Sequence, residues 1–357
     1  MNKKHYIIPI FVPHKGCPHD CIFCNQKKIT GQLGEVAAGE VKTKIEEYLS
    51  TIQAEGSHIE VAFYGGSFTA VSLDYQKELL AAACSYVEEG RIANIRVSTR
   101  PDCIDNEIAE NLKKYRVSIV ELGVQSMDEE VLELCNRGHT PEDVVEAVGI
   151  LKEYGLTVGV QMMIGLPGDS EEKALGTARG LIRLKPDIAR IYPALVIKNT
   201  YMEDMYLRGE YKPLALEAAV QLSKKLLIIF EGNGINVIRI GLQPTENIHI
   251  GRDVVAGPFH PAMRHLVESG VYRDMLEQLL EKMRGKHRSI TLKVNPKNVS
   301  ELVGHRKSNI NYIKLKYFID KIEISQDNFV EAGTIMLIDG EKSINMSEKD
   351  YYSISSK

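Results

Sequence analysis

Cys17-Pro18-His19-Asp20-Cys21-Ile22-Phe23-Cys24 places three cysteines within eight residues, just after the apolar run Tyr6 to Val12. Thiolates this close can face one point in space, which suits a single metal centre. A structural zinc site closes with four ligands, and a second cysteine or histidine pair at finger spacing would then be expected. The sequence holds no such pair. Three thiolates alone fit better with an iron–sulfur cluster that leaves one iron open to another ligand. The competing readings are three unrelated buried thiols, or a zinc knuckle that uses His14 or His19.

The chain has 357 residues, of which 44% are hydrophobic and 26% charged, enough for one large core and a smaller unit. A net charge of −4 argues against a protein that binds polyanions over its whole surface, while leaving room for a local basic patch. No apolar run reaches the roughly 20 residues of a membrane span. Lys3 and Lys4 ahead of an apolar stretch imitate a signal peptide. That stretch holds Pro9 and Pro13 and runs into the cysteine loop without a small-residue cleavage site, so it reads as a strand. Cys84, Cys103 and Cys135 are scattered and read as core thiols.

From the cysteine loop onward, strand and helix patterns alternate for about 240 residues. Strands are expected at Tyr6–Val12, Ile59–Tyr64, Asn94–Ser98, Val117–Leu122, Thr157–Met163, Ile188–Tyr192 and Asn236–Ile240. Helices are expected at Gly39–Glu55, Leu73–Glu89, Asp105–Tyr115, Asp128–Asn136, Pro141–Tyr154, Glu171–Leu184 and Leu214–Asn233. Ser126 with Glu129 and Asp169 with Glu172 read as capping boxes, and Thr140 before Pro141 reads as an N-cap. The alternation predicts an α/β fold with a parallel sheet: a partial (β/α)6-type, TIM-like barrel. Chemistry in such folds gathers in the loops after the strand C-termini.

Polar motifs fall at those ends. They are Tyr64-Gly65-Gly66-Ser67-Phe68-Thr69, Ser98-Thr99-Arg100-Pro101-Asp102, Glu121-Leu122-Gly123-Val124-Gln125-Ser126, Asn136-Arg137-Gly138-His139 and Gln161-Met162-Met163-Ile164-Gly165-Leu166-Pro167-Gly168. Taken alone, a Gly-Gly is a tight turn, and an arginine after a helix is a surface residue. With the cysteine triplet and in this order, the set resembles the radical S-adenosylmethionine (SAM) superfamily. Within it, the set is similar to the radical SAM half of the Elongator catalytic subunit, over roughly residues 6–245. Some segments also resemble oxygen-independent coproporphyrinogen oxidase.

The resemblance implies that Cys17, Cys21 and Cys24 hold a [4Fe–4S] cluster whose free iron is chelated by SAM. It implies SAM contacts from Gly65, Gly66 and Ser67, from Ser98, from Gln125 and Arg137, and from Gln161. Arginine suits a carboxylate because its planar fork makes paired charged hydrogen bonds. Arg190, Tyr192 and Pro193 would line the barrel mouth, Lys198 would lie near where substrate enters, and His139 would be structural or on the substrate side. Three departures stand out. Ser67 and Ser98 occupy positions where relatives commonly carry glutamate, the family's cysteine spacing is usually longer, and the residues after 245 are too few for its acetyltransferase domain. Its acetyl-CoA-dependent modification of the wobble uridine in transfer RNA therefore does not carry over whole.

Residues 246–285 form a connector or cap, helical through Met263–Met283, and 286–357 form a small α+β unit. In that unit Ser289–Asn295, Lys321–Ser325 and Thr334–Ile338 alternate as strands, and Val299–Lys316 reads as helix, turn and helix. The turn is Gly304-His305-Arg306-Lys307, and basic residues are dense across Lys286–Lys321. This resembles a KH-type RNA-binding module, whose Gly-x-x-Gly loop clamps the nucleic-acid backbone, although Lys307 stands where the second glycine would be. A solvated charged face is the competing reading.

The expected activity is reductive cleavage of SAM to a 5′-deoxyadenosyl radical for RNA modification, with transfer RNA as the first substrate to test. The expected setting is a reducing, cytoplasmic one with no membrane, and an electron donor such as flavodoxin or ferredoxin. The alternatives are a radical SAM enzyme acting on a small molecule, and a zinc-stapled RNA-binding protein without catalysis.

Overall fold

The computed structural model describes residues 4–12, 21–25, 36–52, 56–244, 248–285 and 287–356. Cys17, together with His14 and His19, lies outside the described residues. The chain divides into two compact units that are discontinuous in sequence. The first comprises residues 1–214 and 242–259, and the second residues 215–241 and 260–357. These divisions cut the chain at other points than the linear boundaries 1–245, 246–285 and 286–357.

The first unit is built on six parallel strands in chain order: β1 (His5–Val12), β2 (His58–Gly65), β3 (Asn94–Thr99), β4 (Val117–Gln125), β5 (Thr157–Ile164) and β6 (Ile188–Pro193). Helices alternate with them: α1 (Ala38–Thr51), α2 (Leu73–Glu88), α3 (Asn106–Lys114), α4 (Glu129–Leu134), α5 (Pro141–Glu153), α6 (Glu171–Leu184) and α7 (Tyr201–Leu207). This is the expected partial (β/α) barrel. Side chains alternate between the two faces of each strand. One face is apolar and packed: Val61 and Phe63 on β2, Ile95 and Val97 on β3, Val120 and Leu122 on β4, Val158 and Val160 on β5 are all fully or almost fully buried. The other face carries Glu60, Arg96, Glu121 and Arg190, one charge on each of β2, β3, β4 and β6.

Two caps differ from expectation. β4 runs on to Gln125, so Ser126 directly follows the strand and its Oγ accepts from the Asp128 amide at 3.1 Å. Asp128 then caps α4 by accepting from the Val131 amide. Asp169 is held within its loop, accepting from the Gly165 amide at 2.7 Å and the Ser170 amide at 2.8 Å, so Ser170 caps α6. Thr140 forms the expected cap on α5, reciprocated by Asp143, with Pro141 in the first turn.

The second unit holds the helix Leu216–Gly232, the strand Asn236–Ile240 and the helix Met263–Met283. After them comes a four-stranded sheet, in the order Lys321–Gln326, Ser289–Val294, Thr334–Asp339, Lys342–Ser347. Val299–Val303 and Ser308–Tyr317 are the expected helix pair, and the strand Lys342–Ser347 and helix Glu348–Ser355 extend the pattern. Gly304 has a φ of +74°, and a Cβ there would lie 2.6 Å from Ser308 Oγ, so only glycine fits. Arg306 and Lys307, both exposed, follow in left-handed conformations. Among the described residues, no helix is long and apolar enough to cross a membrane.

Candidate active site

The described part of the cysteine loop, Cys21–Asn25, is tied down by backbone hydrogen bonds. The Cys24 amide donates to the Cys21 carbonyl at 3.0 Å, turning the chain between the two thiols. The Ile22 amide donates to the Cys135 carbonyl, and the Met202 amide donates to the Ile22 carbonyl. Asn25 Nδ2 donates to the Lys198 carbonyl at 3.1 Å. Ile22 is buried with Val131, Cys135, Leu166 and Ala194, with Phe23, Met163 and Met205 against them. The loop is thus anchored through Ile22, between Cys21 and Cys24. Burial pushes the Cys135 thiol up to about 12, which fits an inert core thiol as expected from sequence.

Arg137 reaches this loop from beyond α4. Its Nη1 donates to Cys21 Sγ at 3.4 Å and its Nη2 to the Gly123 carbonyl at 2.6 Å. The side chain is buried, and its Nε has no hydrogen-bond partner among the described residues. Its own carbonyl accepts from Arg100 Nη2 at 2.6 Å, and Arg100 also forms a bidentate pair with Asp102. Arg100 is only 1% exposed, so the Thr-Arg-Pro-Asp stretch buries its arginine behind Arg137.

Gln125 ends β4 with a φ of +69°, in the left-handed region that side chains avoid. A bulge shifts the β4–β5 register between Gly123 and Gln125 and turns the end of the strand. Gln161 Nε2 donates to Gln125 Oε1 at 3.3 Å. A Cβ on Gly123 would lie 3.0 Å from Gln125 Nε2 and 3.1 Å from Arg137 Nη2, so the absent side chain is what lets the amide and the guanidinium meet there. Three residues singled out in the sequence, Gln125, Arg137 and Gln161, are therefore brought together with Cys21 around the backbone of Gly123.

The remaining candidates sit at neighbouring strand ends. Gly65 closes β2 with a φ of +109°, and the Gly66 amide donates to the Val12 carbonyl at the end of β1. Ser67 is buried, and its carbonyl accepts from the Ala70 amide. Ser98 lies half-buried near the end of β3, two residues from Arg96 on the same strand face. Thr69 and Thr99 join these two loops through their hydroxyls at 2.5 Å. His139 is buried and its Nε2 donates to the Val124 carbonyl at 3.1 Å. Burial, reinforced by Arg137 and Arg100, lowers its pKa to about 3, so it is a neutral structural residue.

Sequence reading missed a connected charge network on this face. Arg96 donates to Glu60 Oε2 at 2.7 Å and to Glu121 Oε1 at 2.6 Å. Arg190 donates to the same Glu121 oxygen at 2.8 Å and to the hydroxyls of Tyr64 and Tyr192 at 3.2 Å. Its guanidinium also stands 5.5 Å from the centre of the Tyr64 ring. Arg190 and Tyr192, expected at the mouth, are thus tied into the barrel interior. The available signal was one charged residue in each of four apolar strands, with signs alternating between Glu60, Arg96 and Glu121 on neighbouring strands.

Comparison with known proteins bears on this site. The Radical SAM superfamily model matches residues 11–181, and the Radical SAM C-terminal domain matches residues 186–273. A tRNA uridine(34) acetyltransferase of Methanocaldococcus jannaschii is 33% identical over 257 residues, which cover 60% of this chain and 47% of the relative. The chain spans about half the length of the acetyltransferases it matches. In fold it is similar to the archaeal Methanocaldococcus infernus Elp3 with its N-terminus deleted, with a TM-score of 0.60 at 22% identity, covering 94% of this chain and 74% of that one. An uncharacterized protein of Methanocaldococcus jannaschii is 32% identical over 223 residues, 60% of this chain and 68% of its own length. With that span of likeness, and with the two domain models following one another along it, the chain belongs to the radical SAM superfamily.

Proposed function

We propose that this chain is an enzyme that holds a [4Fe–4S] cluster on Cys17, Cys21 and Cys24, binds SAM across the ends of β2 to β5, and acts on RNA, transfer RNA first. The observation that carries this reading is the meeting of Arg137, Gln125 and Gln161 with the Cys21 sulfur around Gly123. When bound and reduced by one electron, the cluster and SAM together supply a 5′-deoxyadenosyl radical.

The donor set fits these groups. Cys21 and Cys24 lie on one turn, with Ile22 between them anchored in an apolar cluster. The buried Nε of Arg137, without a partner among the described residues, is a charged donor suited to the methionine carboxylate of SAM. Gln125 and Gln161 pair through one amide group each, leaving Gln125 Nε2 and Gln161 Oε1 for ribose hydroxyls. Gly65 and Gly66 offer backbone that a ligand can approach closely, with Ser67 and Ser98 as neighbouring hydroxyls. Arg100 is a positioning residue for Arg137.

Two features support RNA as substrate. Relatives matched over about half their length are named for tRNA uridine(34). Residues 286–321 carry nine lysines and arginines against two acidic residues, Glu301 and Asp320, and two of the cations sit on the exposed turn at Arg306 and Lys307. The cluster calls for a reducing, cytoplasmic setting, and the electron for a donor such as flavodoxin or ferredoxin.

The test of the RNA assignment is anaerobic SAM turnover with and without total tRNA, beside tRNA binding by the chain and by its Arg306→Glu/Lys307→Glu variant. Formation of 5′-deoxyadenosine that rises with tRNA, and binding that weakens in the variant, support the reading. SAM cleavage indifferent to tRNA, with no tRNA binding, transfers the reading to a small-molecule substrate.

A further inference from the structure

The other end of the same strands carries a second group of side chains able to bind a metal. His5 on β1 and His58 on β2 are direct partners in the parallel ladder. Their ring centroids lie 5.2 Å apart with the planes tilted by 60°. Glu60, two residues along on the same face of β2, sits against both: Oε1 is 3.1 Å from His58 Nε2 and Oε2 is 3.3 Å from His5 Nε2. One ligand atom from each of the three lies within 4.8 Å of the others. Glu60 is buried, whereas the two imidazoles open to solvent, 47% and 38% exposed, which gives an ion a way in.

We propose that His5, His58 and Glu60 form a site for a divalent transition metal, zinc foremost, that clips the start of β1 to β2. Two imidazole nitrogens and one carboxylate oxygen suit zinc, cobalt or nickel better than magnesium or calcium, which prefer all-oxygen sites. His58 Nε2 is 3.1 Å from Glu60 Oε1, and Asn94 Nδ2, 3.2 Å from His58 Nε2, donates to the same carboxylate oxygen at 3.3 Å, so these polar groups converge on one point. A metal would take the lone pair of His58 Nε2, with Asn94 remaining a donor to the ligating carboxylate.

The cation on Arg96 is the argument against the site, and the network answers it. Arg96 holds Glu60 Oε2 at 2.7 Å but shares its charge with Glu121, which in turn binds Arg190. Two carboxylates and two guanidiniums balance, so an ion at the histidines meets a neutral network rather than a lone guanidinium. Arg96 then fixes the orientation of the ligating carboxylate, as partners behind metal ligands commonly do.

The test compares zinc bound per chain of residues 1–357, after gel filtration, in the parent protein and in its His5→Gln and His58→Gln variants. Metal-free melting checks that the variants fold. The expected result is one zinc more in the parent than in either variant, affinity at least about tenfold weaker in the variants, and a melting temperature that zinc raises only in the parent. That extra zinc should persist in a Cys17→Ser/Cys21→Ser/Cys24→Ser chain, which separates this site from the cysteine loop. Equal zinc in parent and variants, or an extra zinc that disappears with the cysteines, overturns the proposal.

Discussion

The guanidinium of Arg137 stands 3.4 Å from the sulfur of Cys21, across 116 positions of sequence. A charged N–H on a cluster-ligating sulfur bears on reduction potential, because hydrogen bonds to the sulfurs are one of the protein's means of setting it. Lysine cannot reproduce the fork that reaches both Cys21 Sγ and the Gly123 carbonyl. Arg137→Lys is expected to keep the fold, to shift the cluster's reduction potential, and to lower SAM cleavage about 10–100-fold, the usual cost of losing a partner behind a metal ligand. Potentiometry and 5′-deoxyadenosine formation on the reconstituted variant check this.

Gly123 gives a narrower test of the same site. Its missing Cβ leaves the space where Gln125 Nε2 and Arg137 Nη2 meet. Gly123→Ala forces both to move by a few tenths of an ångström. The expected result is a stability loss within about 1–3 kcal/mol and a fall of about tenfold or more in SAM cleavage, since small misplacements of positioning groups are costly. Thermal melting and turnover measured together separate the two effects.

Glu121 holds two arginines at once, the buried Arg96 and the half-buried Arg190. Glu121→Gln leaves Arg96 and Arg190 with Glu60 as their remaining carboxylate on this face. Breaking such a pair costs about 3–5 kcal/mol because the surviving charge stays buried. Urea denaturation is expected to show that loss, and Glu121→Gln/Arg190→Met is expected to recover part of it.

The second unit carries a pH dependence of its own. Burial, then the carboxylates of Glu268, Glu231 and Glu301, push Glu348 up to about 7, while Tyr272 donates to it and opposes the rise. Tyr352 and Arg264 are coupled to the same group of carboxylates. With the folded value above the ordinary 4.5, the folded chain keeps a proton that the unfolded chain releases. Stability therefore falls as pH rises from about 4.5 to about 7, by on the order of 1–3 kcal/mol. Glu348→Gln is expected to melt higher than the parent at pH 8 and close to it at pH 5.

The barrel was legible in the sequence because each strand keeps one packed apolar face, and because glycines and caps mark the ends. Gln125, Arg137 and Gln161 were legible through their motifs. The bulge that brings them together was not, because a register shift between Gly123 and Gln125 leaves no mark in the order of residues. For the same reason β4 overran its expected end at Leu122, and the cap of α4 moved from Ser126 to Asp128. Only the packing shows Arg100 buried behind Arg137. The final helix did have a signal, since Ser347 with Asp350 is a capping box.

The most direct test of the central claim is 5′-deoxyadenosine formed by the chain after anaerobic reconstitution with iron and sulfide, given dithionite and SAM, beside a Cys21→Ala variant treated identically. Cluster-dependent 5′-deoxyadenosine in the parent, absent from the variant, is the predicted result. A parent chain that takes up zinc in its cysteine loop, assembles no cluster and leaves SAM intact would contradict it.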